Sequence, residues 1–154
     1  MEFDAPGSIA LLQGLYERST HLVLKLYALS LQTSTCRMEI VQLTHQIENF
    51  PNSTRQIISW LEQAPQLRSQ QALNDVQEIA DECHRAFDRV EELSSRVHDN
   101  AEHGGDGSIK EMFFTDSLLR KELIYLTTLI QAMLLTLNVM MHAFLSAKMS
   151  MDHE

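Results

Sequence analysis

Residues 123 to 147, LIYLTTLIQAMLLTLNVMMHAFLSA, contain no Lys, Arg, Asp or Glu, although the chain carries 12 basic and 21 acidic side chains in its 154 residues. A helix of about 20 predominantly apolar residues is long enough to cross a bilayer. The polar residues of the segment set a different expectation. At 3.6 residues per turn Thr127, Gln131, Asn138 and His142 fall within roughly 60° of one another, and Arg120 joins the same stripe. The rest of the circumference is Leu, Ile, Met, Val, Ala and Phe. The pattern predicts the central helix of a bundle, about three-quarters buried in protein and marked by one narrow polar seam. By length alone a transmembrane or conditional membrane element is the alternative reading.

A central helix needs partners with matching faces, and the rest of the chain supplies them. Proline (3) and glycine (5) are scarce while Leu, Gln, Glu, Met and Ala abound, which favours helix over sheet. Apolar residues at 36, 40, 43, 47, 50, 57 and 61 keep a near-regular alternation broken only by Thr54, and Leu73, Val76, Ala80, Cys83, Phe87, Val90 and Val97 repeat it with Ser94 as the one polar slot. Pro51 predicts a kink or two helices in line, and Pro65 ends that element. Residues 9–30 form two apolar patches separated by Glu17-Arg18-Ser19-Thr20-His21, so a break at 17–20 is expected, with Ser8 as N-cap. Residues 99–108, DNAEHGGDGS, read as a flexible loop. Ser108 with Glu111, or Thr115 with Asp116, starts the last helix, and 149–154 reads as a frayed tail. The expectation is a single all-α domain over 1–154, an up-and-down bundle of four to five helices with a long, mostly buried C-terminal helix as its hub.

Charge and cysteine usage bound the partners. The formal charge of −9 repels phosphate backbones, which argues against nucleic acid and against recruitment of the whole molecule to anionic membranes by charge. Cys36 and Cys83 lie inside helical patterns, far apart, with no paired spacing and no secretory signal ahead of them. They read as core thiols in a reducing cytoplasm. The outer face of 75–92 is acidic, through Asp75, Glu78, Glu82, Asp88 and Glu92 among others. A solvated face is the plain reading, and a surface for a basic partner is the sharper one.

Chemistry-bearing constellations are few. Asp81-x-x-His84 is half of a di-metal helix motif and His45-x-x-Glu48 runs the wrong way, so no metal and no cofactor is expected. There is no nucleophile elbow, no phosphate loop and no CxxC. Gln131, Asn138 and His142 are polar groups that, once buried, need partners or a cavity. In one reading they fix helix register. In the other they converge in an apolar pocket where His142 acts as general acid or base, helped by Glu122, on an apolar metabolite. Met133, Met140, Met141, Met149 and Met151 suit either irregular core or adaptable binding surface, with core the expectation for the first three.

Three stretches together resemble one family. LVLKLYALS at 22–30, NDVQEIADECHRAFDRVEEL at 74–93 (with Ala80, Glu82, Cys83, Phe87 and Leu93 in matching places) and LLRKELIYLTTLIQAMLLTLNVMMHA at 118–143 are similar, in order and spacing, to the helices of fungal HeLo-like N-terminal domains of STAND (NACHT or NB-ARC) proteins. The resemblance implies an all-helical signalling or effector module without catalytic residues, some relatives of which trigger programmed cell death by exposing an N-terminal hydrophobic helix to the plasma membrane.

The expected function is therefore a cytoplasmic, non-enzymatic module acting by protein–protein interaction, peripheral to the plasma membrane on activation. The implied partners are a protein, either a STAND-type NTPase or a second copy, and a membrane. Ile9, Leu11, Leu12 and Leu15 are the expected membrane or partner face. A small enzyme or carrier built on His142, Asn138, Gln131 and Glu122 is the alternative.

Overall fold

Leu12, Leu15, Leu22, Leu26 and Leu29 recur at helical spacing and all five are buried. In the computed structural model, which describes residues 5–102 and 109–152, they form the inner stripe of one continuous helix, α1 (Ala5–Gln32). Burying each such side chain contributes roughly 1.5–3 kcal/mol. The expected break at 17–20 does not occur: the buried leucine stripe continues on both sides of it, and Ser19 and Thr20 find acceptors within the helix, donating to the Tyr16 carbonyl at 2.9 and 3.0 Å. Ser8 is not the cap either. It lies a turn inside α1, buried, its hydroxyl without a partner among the described residues.

Arginine side chains close two of the corners. Arg37 Nε donates to the carbonyls of Ser30 (2.8 Å) and Thr33 (3.1 Å), covering the open end of α1. Cys36 turns the chain with a left-handed backbone, φ 57° and ψ 22°. Arg68 Nε reaches the Leu61 carbonyl (2.6 Å) in the same way. Between these corners run α2 (Arg37–Ile47) and α3 (Phe50–Gln63), with Pro51 in the first turn of α3, where a missing amide hydrogen costs little. The two follow one another along the same neighbours and make one leg of the bundle. The apolar stripe predicted from 36 to 61 is buried throughout, Thr54 included, its hydroxyl donating to the Phe50 carbonyl at 2.8 Å.

A single 3-10 turn, Pro65–Leu67, leads to α4 (Gln70–Glu102), and α5 (Ile109–Asp152) completes the fold. Helix α4 runs through 99–102, expected as loop, since Asp99, Asn100, Ala101 and Glu102 tolerate helix and the glycines begin only at 104. Residues 103–108, and with them the expected cap at Ser108, lie outside the described residues. Helix α5 continues through 149–152, which were expected to fray.

Contacts fix the directions. Arg18 pairs with Asp88, and Ala28 lies in the same notch as His98, so α1 and α4 run parallel. Glu39 pairs with Arg120 (2.9 Å) and Ser53 meets Asn138, so α2 and α3 run parallel to α5. Arg96 pairs with Glu122 and Ala72 lies in the same groove as Ala147, so α4 and α5 are antiparallel. Helix α1 packs on α2, α3 and α4, and α5 packs on the same three from the opposite corner. The described chain is thus an all-α, four-legged bundle with a long C-terminal helix. Across its centre Phe50 and Phe87 meet edge-on, ring centroids 5.3 Å apart, a contact worth about 0.5–1.5 kcal/mol beyond its area.

Helix α5 is not the hub, since α1 shares the same three neighbours. Leu119, Leu123, Leu126, Ile130, Leu137 and Phe144 form the inner line of α5, yet only 22% of its most apolar 18-residue window is buried. The expectation of a mostly buried C-terminal helix fails because α2, α3 and α4 cover one side only. By length and composition α5 is, among the described residues, the one helix long and apolar enough to cross a membrane.

Candidate functional site

The polar seam of α5 faces out. Gln131 and His142 are exposed. Asn138 is half-buried and accepts a hydrogen bond from Ser53 Oγ (3.3 Å). Thr127 donates to its own helix at the Leu123 carbonyl (2.8 Å). Glu122 is paired with Arg96, and at 1.5 Å per residue it stands about 30 Å along the helix from His142. These four side chains do not converge, and a base must lie within hydrogen-bond reach of what it deprotonates. The reading of His142, Asn138, Gln131 and Glu122 as a catalytic group is corrected on that geometry.

The expected face at the start of α1 is also divided. Leu12 and Leu15 are 1% and 0% exposed, members of the core, while Ile9 and Leu11 are half-buried. Only the latter two have any surface to offer.

The acidic face is split by a cation. Arg18 reaches from α1 to Asp88 and Glu91, and its Nη1 donates to the His84 carbonyl at 3.0 Å. Burial works against the charge of this guanidinium, but the hydrogen bonds to the two carboxylates outweigh it and hold its pKa above the ordinary arginine value. Glu92 is exposed beyond this cluster. Asp75, Glu78 and Glu82, one and two turns apart, are left on the other side and edge a groove between α4 and α5.

That groove encloses about 730 Å³. Its floor is Ala72 and Ile79 of α4 with Val139, Met140, Ala143, Phe144, Ala147 and Met151 of α5. Small side chains make it. Ala72, Ala143 and Ala147 carry only a methyl where the two helices face each other, so the surface dips, and Met140 and Met151 supply adaptable walls. The carboxylates stand on one edge only. Such a trough is shaped for an apolar side-chain row whose flank is cationic. It does not reach Gln131, Asn138 or His142.

The acidic edge and the methionines are visible in the sequence, and Met140, expected in the core, is half-buried against it while also walling the groove. The missed signal was the small pair Ala143 and Ala147 at i, i+4, beside Val139 and Met151 on the same arc. Of the described residues, no three or more His, Cys, Asp or Glu side chains are grouped to hold a metal ion. His45 Nδ1 lies 3.2 Å from Glu48, and His84 Nδ1 lies 3.2 Å from Arg18. Compared with models of known families, with curated proteins and with solved structures, the chain finds no match.

Proposed function

We propose that this protein is a non-enzymatic interaction module that receives an amphipathic helix with a basic flank from a partner protein in the α4–α5 groove. The observation that carries the reading is the pairing of an apolar floor of about 730 Å³ with Asp75, Glu78 and Glu82 on one edge. A helix laid in such a groove gains affinity from anchors at i, i+3/i+4 and i+7 and orientation from charge on the rim. The resemblance to fungal HeLo-like domains supports a signalling role in the cytoplasm, with a STAND-type NTPase as the class of partner and cell death at the plasma membrane as the output. The burial of Leu12 and Leu15 means that an output through the first helix would require that helix to leave the core.

The test uses two model peptides of equal length, an amphipathic Leu/Lys helix and its Leu/Glu counterpart, titrated into the methyl-labelled protein. The Leu/Lys peptide is expected to shift the methyl signals of Ile79, Met140 and Ala143, to weaken with added salt, and to lose binding on Ala143→Glu. Equal binding of the Leu/Glu peptide, or shifts confined to α1, would exclude the groove as a site for a basic helix.

A further inference from the structure

The outward face of α5 is a second surface, independent of the groove proposal. Eight of the twelve large hydrophobic side chains that stand exposed among the described residues are on this one helix; Val139 and Met151 border the groove, while Ile124 and Leu135 stand away from it, Leu135 65% exposed. Between Glu122 and Lys148 the helix carries no charge, whereas the chain as a whole carries −9. Two such molecules repel wherever charged faces meet. They approach most easily along this strip.

We propose that the outward face of α5 pairs with the same face of a second copy, antiparallel, with the twofold axis passing beside Leu135. Three observations select this occupant. The strip is mixed, with Thr128, Gln131 and His142 set among the aliphatic residues. Hydrocarbon leaves such groups unpaired, while a facing helix offers them partners. In an antiparallel pair centred on Leu135, Thr128 meets the other copy's His142, and the hydroxyl of Thr128, which already donates to the Ile124 carbonyl (3.1 Å), keeps a lone pair to accept. A parallel pair would instead stack Lys121 on Lys121 and His142 on His142. Finally, the uncharged stretch is about 36 Å long at 1.5 Å per residue, and a two-helix contact of that length with its flanks approaches the about 800 Å² per partner of a specific interface.

Sedimentation equilibrium of the whole chain at micromolar concentrations is expected to show a monomer–dimer equilibrium. Leu135→Asp should weaken it by about 30-fold or more, as truncation of a central interface residue does, with helicity by circular dichroism unchanged because the residue is exposed. Under mild oxidation Leu135→Cys should cross-link to itself and Ile124→Cys should not, while the native Cys36 and Cys83 are buried and stay silent. A wild type that remains monomeric throughout overturns the proposal, as does a dimer indifferent to Leu135→Asp. Self-cross-linking of Ile124→Cys as efficient as that of Leu135→Cys overturns the antiparallel arrangement. Flotation of the wild type with phosphatidylcholine vesicles, lost in Leu135→Asp, would assign the face to lipid instead.

Discussion

The hydroxyl of Ser53 donates to the side-chain carbonyl of Asn138 at 3.3 Å, joining α3 to the polar seam of α5. Its two ends are not equivalent. Ser53 is buried at 7% exposure, while Asn138 is half-buried and can turn to water. Asn138→Ala therefore leaves a buried hydroxyl unpaired and is expected to cost about 1–2 kcal/mol, against about 0.5–1 kcal/mol for Ser53→Ala. The double variant should lose less than the sum. Urea titrations with unchanged slope measure all three, and strict additivity would show that the bond contributes nothing.

The contrast between α4 and α5 shows what a sequence can reveal of such a bundle. In α4 the apolar residues occupy one stripe and charges fill the rest, so Leu73, Val76, Ala80, Cys83, Phe87, Val90, Ser94 and Val97 were legible as the inner face, and all are buried. In α5 apolar residues surround the helix. The periodicity then yields the polar stripe correctly but not the side on which it lies, since Leu123, Leu126 and Ile130 point in and Ile124, Leu135 and Val139 point out with equal hydrophobicity. That choice depends on which helices arrive beside α5, a property of topology. The groove was illegible for the same reason, because its two walls lie some 65 residues apart in the chain and only their pairing makes a trough. In α1 the local weakness at Ser19 and Thr20 was real, but it was outweighed by the leucine stripe on either side of it.

Burial sets the chemistry of the two thiols. Cys83 is fully buried, and desolvation, reinforced by nearby Glu82, pushes its pKa up to about 12. Cys36, 3% exposed, is also raised, first by desolvation and then by Glu39. At pH 8 the thiolate fraction of Cys83 is on the order of one in ten thousand, and only the thiolate reacts. Native protein should resist Ellman's reagent at both positions, and Cys83 should label at the rate of global unfolding. Rapid labelling of Cys83 without denaturant would mean that α4 opens on its own.

Tyr27 and Glu48 couple the bundle to pH. The phenol of α1 donates to the carboxylate of Glu48, which also lies 3.2 Å from His45 Nδ1. The Tyr27 hydrogen bond, opposed by partial burial and aided by His45, holds the Glu48 pKa below its ordinary value of 4.5. A carboxylate depressed in the folded state favours folding above the ordinary carboxylate pKa, and that contribution disappears as pH falls through the depressed value. The same bond raises the pKa of Tyr27 above 10.0, so its contribution fades again as pH rises through that raised value. In Tyr27→Phe the carboxyl carbon of Glu48, followed by NMR, should titrate closer to 4.5. The stability gap between wild type and variant should be widest between the ordinary carboxylate and phenol values, 4.5 and 10.0, and should close as pH falls through the depressed value of Glu48. A gap that persists unchanged in acid would assign the role of Tyr27 to packing rather than to its hydroxyl.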